Sequence, residues 1–192
     1  MIPAMTAVQL DKYHKVVKAK DGSLVVLRPL FREDRDRLVQ LLRTLDPKDV
    51  QSLKHDVTNE ALVASWADAI DYERVFPLVA QLDDELVADA TLHRRPSSRQ
   101  SHVGEVRIVI GNKMRGRGLG VIMLEELIGL ADRLGLEQLE AQVVIGSTIA
   151  QRAFEKVGFR QEAIFKDYFK SGDDYKDVAV LFHLLKERWE EF

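Results

Sequence analysis

No cysteine occurs among the 192 residues, which excludes a disulfide framework, a thiolate metal site and a cysteine nucleophile. Histidine is scarce: five are present, scattered without the spacing of metal ligands, so no metal is expected. Neither sign of charge dominates. The 28 Lys and Arg stand against 31 Asp and Glu, and a net charge of -3 gives no ground for a nucleic-acid partner. No apolar run approaches the roughly 20 residues of a membrane span. The opening "MIPAMTAVQLDKYHKVVKAK" lacks the apolar core of a signal peptide. The expectation is a cytoplasmic protein with no membrane partner.

What is present reads as one substantial domain. Hydrophobic residues make up 46% and charged residues 31%, ordinary values for a globular chain long enough to bury a real core. Residues 1–20 have weak periodicity and read as an extension, leaving 21–192 as the domain. "SLVVLRPL" (Ser23–Leu30) reads as a strand. "REDRDRLVQLLRTL" (Arg32–Leu45) reads as a helix, with acids in its first turn and Leu38, Leu41, Leu42 and Leu45 at helical spacing. "TNEALVASWADAI" (Thr58–Ile70) is a second helix, with Thr58 as its cap.

The period then changes from helical to alternating. "RVFPLVAQL" and "ELVADATLHR" flank "DDE" as an antiparallel hairpin. Alternation puts Leu86, Ala88, Ala90 and Leu92 on one face and Val87, Asp89, Thr91 and His93 on the other. "HVGEVRIVI" (His102–Ile110) is a further strand, with Glu105, Arg107 and Val109 sharing a face. "LGVIMLEELIGLADRLG" is a helix with the stripe Val121, Leu124, Leu127, Ile128, Ala131 and Leu134, stopped at Gly135. A strand over "LEQLEAQVVI", a helix over Ser147–Gly158 capped by Ser147, and a hairpin around "KSGDD" complete the chain. The order β-α-α-β-β-β-α-β-α-β-β gives an α/β fold with a mixed sheet, with a parallel crossover at residues 102–145. The last strand, "VAVLFHLL", is apolar enough to lie inside a sheet or in a homodimer contact.

One segment asks for a ligand. "NKMRGRGLG" (Asn112–Gly120) joins a strand to a helix and carries two Arg and three Gly. A helix N-terminus offers free N–H groups and partial positive charge, which suit a phosphate. Gly116, Gly118 and Gly120 let the backbone come near, and Arg115 and Arg117 add charge-assisted hydrogen bonds. A diphosphate fits. A P-loop would need Lys followed by Ser or Thr, which is absent. A dinucleotide fingerprint would need glycine where Val121 stands. The remaining reading without a ligand is a tight strand-to-helix turn.

"RGRGLG" (Arg115–Gly120) also matches the acetyl-CoA signature of the GNAT family of N-acetyltransferases, in which Arg or Gln precedes Gly by three positions and Gly or Ala by five. The chain resembles that family from about residue 22 to 186. "VLRPLFREDRDRLVQLL" is similar to its opening strand and helix, "AQLDDELVADATL" to its hairpin, and "IAQRAFEKVGF" (Ile149–Phe159) to its late helical segment. The resemblance implies a mixed, mostly antiparallel central sheet with a splayed parallel strand pair and flanking helices. It implies acetyl-CoA as cosubstrate, with the pantetheine arm beside Ile108, Val109 and Ile110 and the pyrophosphate on Arg115, Gly116, Arg117, Gly118, Leu119 and Gly120. Ser147, Ala150, Phe154 and Lys156 would flank the cofactor's other parts.

The implied reaction is direct acetyl transfer to a primary amine of a small molecule or protein. Such an amine is mostly protonated near neutral pH, so its proton must leave before attack. The resemblance implies Glu105 as general base, with Asp89 and His93 as further candidates. Phe154 stands where the family often has Tyr, leaving water, Ser147 or Tyr168 for the general acid. The Thr44–Thr58 loop and the Lys170–Asp174 turn would frame the acceptor, and their carboxylates lean toward a cationic one. A non-catalytic acyl-CoA sensor is the alternative.

Overall fold

The computed structural model describes residues 12–186. Among the described residues, eight strands form one sheet in the order β1-β2-β3-β4-β5-β6-β8-β7. They are β1 (Lys15–Lys18), β2 (Leu24–Pro29), β3 (Val75–Leu82), β4 (Glu85–His93), β5 (Val103–Ile110), β6 (Gln138–Val144), β7 (Arg160–Ser171) and β8 (Asp174–Leu184). The helices are α1 (Arg35–Arg43), α2 (Pro47–Val50), α3 (Glu60–Asp68), α4 (Leu119–Arg133) and α5 (Thr148–Lys156). All neighbouring strands are antiparallel except β5 and β6. The strand "VAVLFHLL" lies inside the sheet, between β6 and β7.

Each face of the sheet carries its own core. On one, α4 and α5 cover Leu27, Phe76, Leu78, Ala90, Leu92 and Val106. On the other, Leu38, Leu41 and Leu42 of α1 and Val63 of α3 cover Val79 and Leu86. Apolar side chains at helical spacing find alternating side chains at strand spacing, and their burial is the main favourable term.

Several sequence expectations need correction. Lys15–Lys18, read as extension, is an edge strand that pairs with β2 and buries Val17. Tyr13 and Lys15 both bond Glu126 of α4, which ties this strand to the helix layer. Four residues were too short for a visible alternation; the rest of the proposed extension, residues 1–11, lies outside the described residues, as do 187–192. Helix α3 is capped by Asn59, whose side chain accepts from the Leu62 N–H at 3.1 Å. Thr58 instead bonds Asp56. Ser147 does stand at the N-cap of α5, but its side chain makes no capping bond.

A bulge accounts for the next difference. The β3–β4 register steps at Ala80/Gln81, and Ala80 opposes Ala88 while Gln81 opposes Leu86. Val87 is therefore the extra residue. The step turns Leu86 toward α1 and α3 and Val87 toward α4, the reverse of strict alternation. On α4 the buried stripe is wider than the spacing showed: Met123 and Leu130 are fully buried, whereas Val121 is half-buried.

Asp34 is buried at the head of α1, where the sequence read only helpful first-turn acid. Arg28 of β2 donates to it twice, at 2.6 and 2.8 Å, and the Phe31 N–H donates at 3.0 Å. These bonds fix α1 to the sheet.

Gly104 sets how closely β5 and β6 meet. A Cβ there would stand 2.7 Å from Leu92, 2.8 Å from Leu136 and 3.0 Å from Leu139. Gly104→Ala should destabilise the fold by about 1–3 kcal/mol through overpacking, measured by urea unfolding.

Candidate functional site

The parallel pair is short. Val103, Gly104 and Glu105 oppose Gln138, Leu139 and Glu140, and there the pairing stops. Strand β5 continues against β4 to Ile110, and β6 continues against β8 to Val144. Arg107–Ile110 thus has a ladder on one edge only. Gly111 N–H donates to Val87 O at 2.9 Å, so alternate residues, Val109 and Arg107, turn their backbone groups to β4. The N–H and C=O of Ile108 and Ile110 face the gap. Of the three residues assigned to the pantetheine arm, Ile108 and Ile110 offer backbone to it. Val109 packs its side chain against the α1–α3 core instead.

The Gly/Arg loop follows directly. Gly116 and Gly118 have φ of 71° and 78°, the left-handed region that glycine enters without strain. Gly118 is the N-cap of α4, a 15-residue helix whose first turn has free N–H groups. Gly120 faces Ile108 and Ile110: its Cβ would lie 3.6 Å from Ile110 and 3.9 Å from Ile108. Leu119 has its side chain in the core, so only its backbone serves the loop.

The two arginines already hold carboxylates. Arg115 pairs with Asp49 and with Asp46 (3.4 Å), and donates to Ile110 O at 3.2 Å. Arg117 pairs with Asp21. The carboxylates of "LDPKD", expected to face an acceptor, are thereby turned to the loop. Ser147 is half-buried and Lys156 exposed on α5. Phe154 is 3% exposed and packs edge-on against Phe159 at 5.0 Å, so its ring is part of the core.

Where β5 and β6 part, a charged cluster gathers that the sequence showed only in fragments. Glu105 accepts from Lys54 at 2.8 Å, Arg107 at 2.8 Å and Arg95 at 3.3 Å. Burial pushes its carboxyl up, but bonds from Arg107 and Lys54 and their charges outweigh that and bring it down to about 2. A carboxylate held this way does not take up a proton near neutral pH. Its geometry makes Glu105, the residue expected as base, an anchor for three cations.

The two histidines nearby are neutral by environment. His55 Nε2 accepts from Arg107 at 2.8 Å; burial, then Arg107 and Lys54, push its pKa down. His93 opposes Glu105 across the β4–β5 pair, and burial, then Arg107, bring it down to about 4. Lys54, His55 and Arg95 were missed because they come from a loop and a turn that only folding brings to β5.

Residues of the Leu42–Thr58 segment and Tyr168–Gly172 of the last hairpin line one groove of about 870 Å³. Lys54 and His55 are at its wall. Tyr168, half exposed, contacts Phe165 and Phe169 by its ring.

Residues 36–159 match the family model described as the acetyltransferase (GNAT) family. The L-amino acid N-acetyltransferase AaaT of Escherichia coli is 26% identical over 118 residues, 60% of this chain and 73% of that protein. The GNAT domain of S. lividans PAT superposes with a TM-score of 0.75 at 20% identity, covering 89% of this chain and 96% of that one. The yncA protein of Salmonella typhimurium, solved with its cofactor acetyl-CoA, superposes at 0.72 with 16% identity, covering 86% and 96%. These solved structures share the fold: a mixed sheet with one parallel pair and flanking helices.

Asp89 gives a test of the site's electrostatics. Its Oδ1 is buried without a partner, and burial pushes the carboxyl up to about 6 from the ordinary 3.8, against a Thr91 bond. The folded chain therefore binds this proton more tightly than the unfolded one. The contribution to stability is full below about pH 4 and is lost as pH rises through about 6. Asp89→Asn should stabilise the fold by on the order of 3 kcal/mol above pH 7 and change little at pH 4, read from melting curves at both.

Proposed function

Because the chain belongs to the GNAT acetyltransferase family, we propose that it moves an acetyl group from acetyl-CoA to a primary amine in one direct step. The observation that carries this reading is the one-sided strand Arg107–Ile110 running into a glycine loop and helix N-terminus. An extended arm with amide groups can add to that edge as a strand would, and a diphosphate suits the loop. Ile108 and Ile110 would hold the arm. Gly116 to Gly120 would hold the diphosphate through backbone N–H groups, with Arg115 and Arg117 exchanging Asp49 and Asp21 for phosphate oxygen.

Acetyl-CoA supplies the acetyl group as a thioester. The amine nitrogen forms the new C–N bond as the C–S bond breaks, and one amine proton is balanced by the proton the leaving thiol takes up. A backbone N–H on the free edge of β5 would stabilise the oxyanion formed on the way. The charge cluster deals with the amine's proton. Lys54, Arg95 and Arg107 disfavour an ammonium beside them, which lowers its pKa and lets the proton go to solvent. Glu105 then acts by holding those cations in place. Phe154 cannot protonate the thiolate, but a thiol's ordinary pKa near 8.5 makes it an adequate leaving group without a dedicated acid.

Phe154 and the fully engaged Glu105 also favour a second reading, an acyl-CoA sensor that binds without turnover. Release of free thiol with an amine present separates the two.

Calorimetric titration should show binding of acetyl-CoA and not of NADH or ATP; no binding by folded protein removes both readings. Gly116→Val projects its side chain into open space at φ 71°, and should weaken acetyl-CoA binding by at least about 10-fold. Gly118→Val is the poorer variant, since its Cβ would meet Lys20 at 3.1 Å. Asp49→Asn removes one of the two carboxylates paired with Arg115, leaving Asp46, and should tighten binding by about 2- to 5-fold, as expected for loss of a surface ion pair that competes for it.

A further inference from the structure

The turn between β1 and β2 is docked on the Gly/Arg loop. Ala19 N–H donates to Ser23 O at 2.9 Å and Gly22 N–H to Ala19 O at 3.0 Å, which closes the turn. Lys20 N–H then donates to Arg117 O at 2.9 Å, and Asp21 pairs with Arg117. Farther along α4, Tyr13 and Lys15 bond Glu126. About two turns of helix, roughly 12 Å, separate Gly118 from Glu126. Two contacts therefore fix the position of the turn relative to the head of α4.

The side chain of Lys20 lies across that head. Its Cγ, Cδ and Cε stand 3.1, 3.2 and 3.1 Å from where a Cβ on Gly118 would be. The ammonium is one bond beyond Cε, which sets it beside the N-cap of α4. A cation is out of place there, because the N-terminal end of a helix carries partial positive charge. The first turn of α4 has no acidic residue and no side-chain cap. The adjacent carboxylate, Asp21, is engaged by Ser23 N–H at 3.1 Å, by Ser23 Oγ at 2.9 Å and by Arg117. Among the described residues, Lys20 forms no ion pair. Water screens part of the repulsion. An anion over the N-cap would remove it.

We propose that Lys20 is a phosphate ligand of the cosubstrate. The β1–β2 turn holds its ammonium over the α4 N-cap, where it takes an oxygen of the acetyl-CoA diphosphate or of the ribose 3′-phosphate. Arg117 exchanges Asp21 for phosphate, whereas Lys20 has no carboxylate to give up. The turn thus presents one cation ready for the ligand and one released on binding. The inference rests on the acetyl-CoA reading of the loop. It adds to that site a residue from the segment that the sequence assigned to an extension.

Calorimetric titration with acetyl-CoA compares wild type, Lys20→Met and Lys20→Arg. Met keeps an apolar stem on Gly118 and removes the charge. Lys20→Met should weaken binding by about 5- to 20-fold and flatten the dependence of affinity on salt. The melting temperature of the ligand-free protein should hold or rise slightly, since a cation leaves the positive end of a helix. Lys20→Arg restores the charge and should recover affinity to within about 3-fold of wild type. Acetyl-dephospho-CoA, which lacks the 3′-phosphate, tells the two sources apart. A Lys20→Met loss that persists with it assigns Lys20 to the diphosphate; a loss that disappears assigns it to the 3′-phosphate. Wild-type affinity and salt dependence in Lys20→Met overturn the proposal. Equal weakening by Met and Arg also overturns it, because charge then plays no part and the turn is only structural. No binding of acetyl-CoA by folded wild-type protein defeats the cofactor reading itself.

Discussion

The short contact between β5 and β6 governs the rest of this molecule. A parallel pair held at three positions and then released leaves one strand with unpaired backbone on a single edge. Ordinarily such an edge is a liability, because its amide groups would rather be bonded than wet. Here it is sheltered within a sheet that stays continuous through β4 on one side and β8 on the other. Gly104 permits the close approach that makes the contact, and the helix α4 between the two strands makes the connection. The opening therefore has fixed walls, and whatever enters meets backbone donors that need no rearrangement.

The charges around this opening are arranged on the same plan. Apart from Lys20, each cation that could serve a ligand has a protein carboxylate in its absence: Asp49 and Asp46 for Arg115, Asp21 for Arg117, Glu105 for Lys54, Arg95 and Arg107. Partly exposed pairs of this kind contribute little to stability, so exchanging the partner is inexpensive. Glu105 differs because it is buried and bound by three cations at once. Its low pKa follows from that crowd, and it is the post to which the three cations are tied. Segment Asp46–Val50 joins the two regions, since it bonds the Gly/Arg loop through Asp46 and Asp49 and lines the groove beside Lys54 through Pro47 and Val50.

Local pattern made much of the fold and half of the site legible. Apolar spacing located α1, α3, α4 and α5; alternation located β2 to β8; glycine and arginine placement marked the strand-to-helix loop before α4. These signals are encoded by neighbours in sequence, where side-chain period and backbone freedom act directly. What the sequence did not display depends on partners far away along the chain. Whether Leu86 or Val87 faces α4 depends on a bulge against β3. Whether Phe154 meets a cofactor or the core depends on Phe159 and β8. The four-residue β1 is a strand only because β2 and Glu126 receive it.

Charge shows the division most clearly. The sequence by itself determined that Glu105 and Arg107 share a face, since a strand's period is two. Only the tertiary structure decided that Lys54 and Arg95 join them and that their combined field holds Glu105 ionised. A pKa is set by burial and by every charge within a few ångströms, and those distances exist only after residues more than forty positions apart have been brought together.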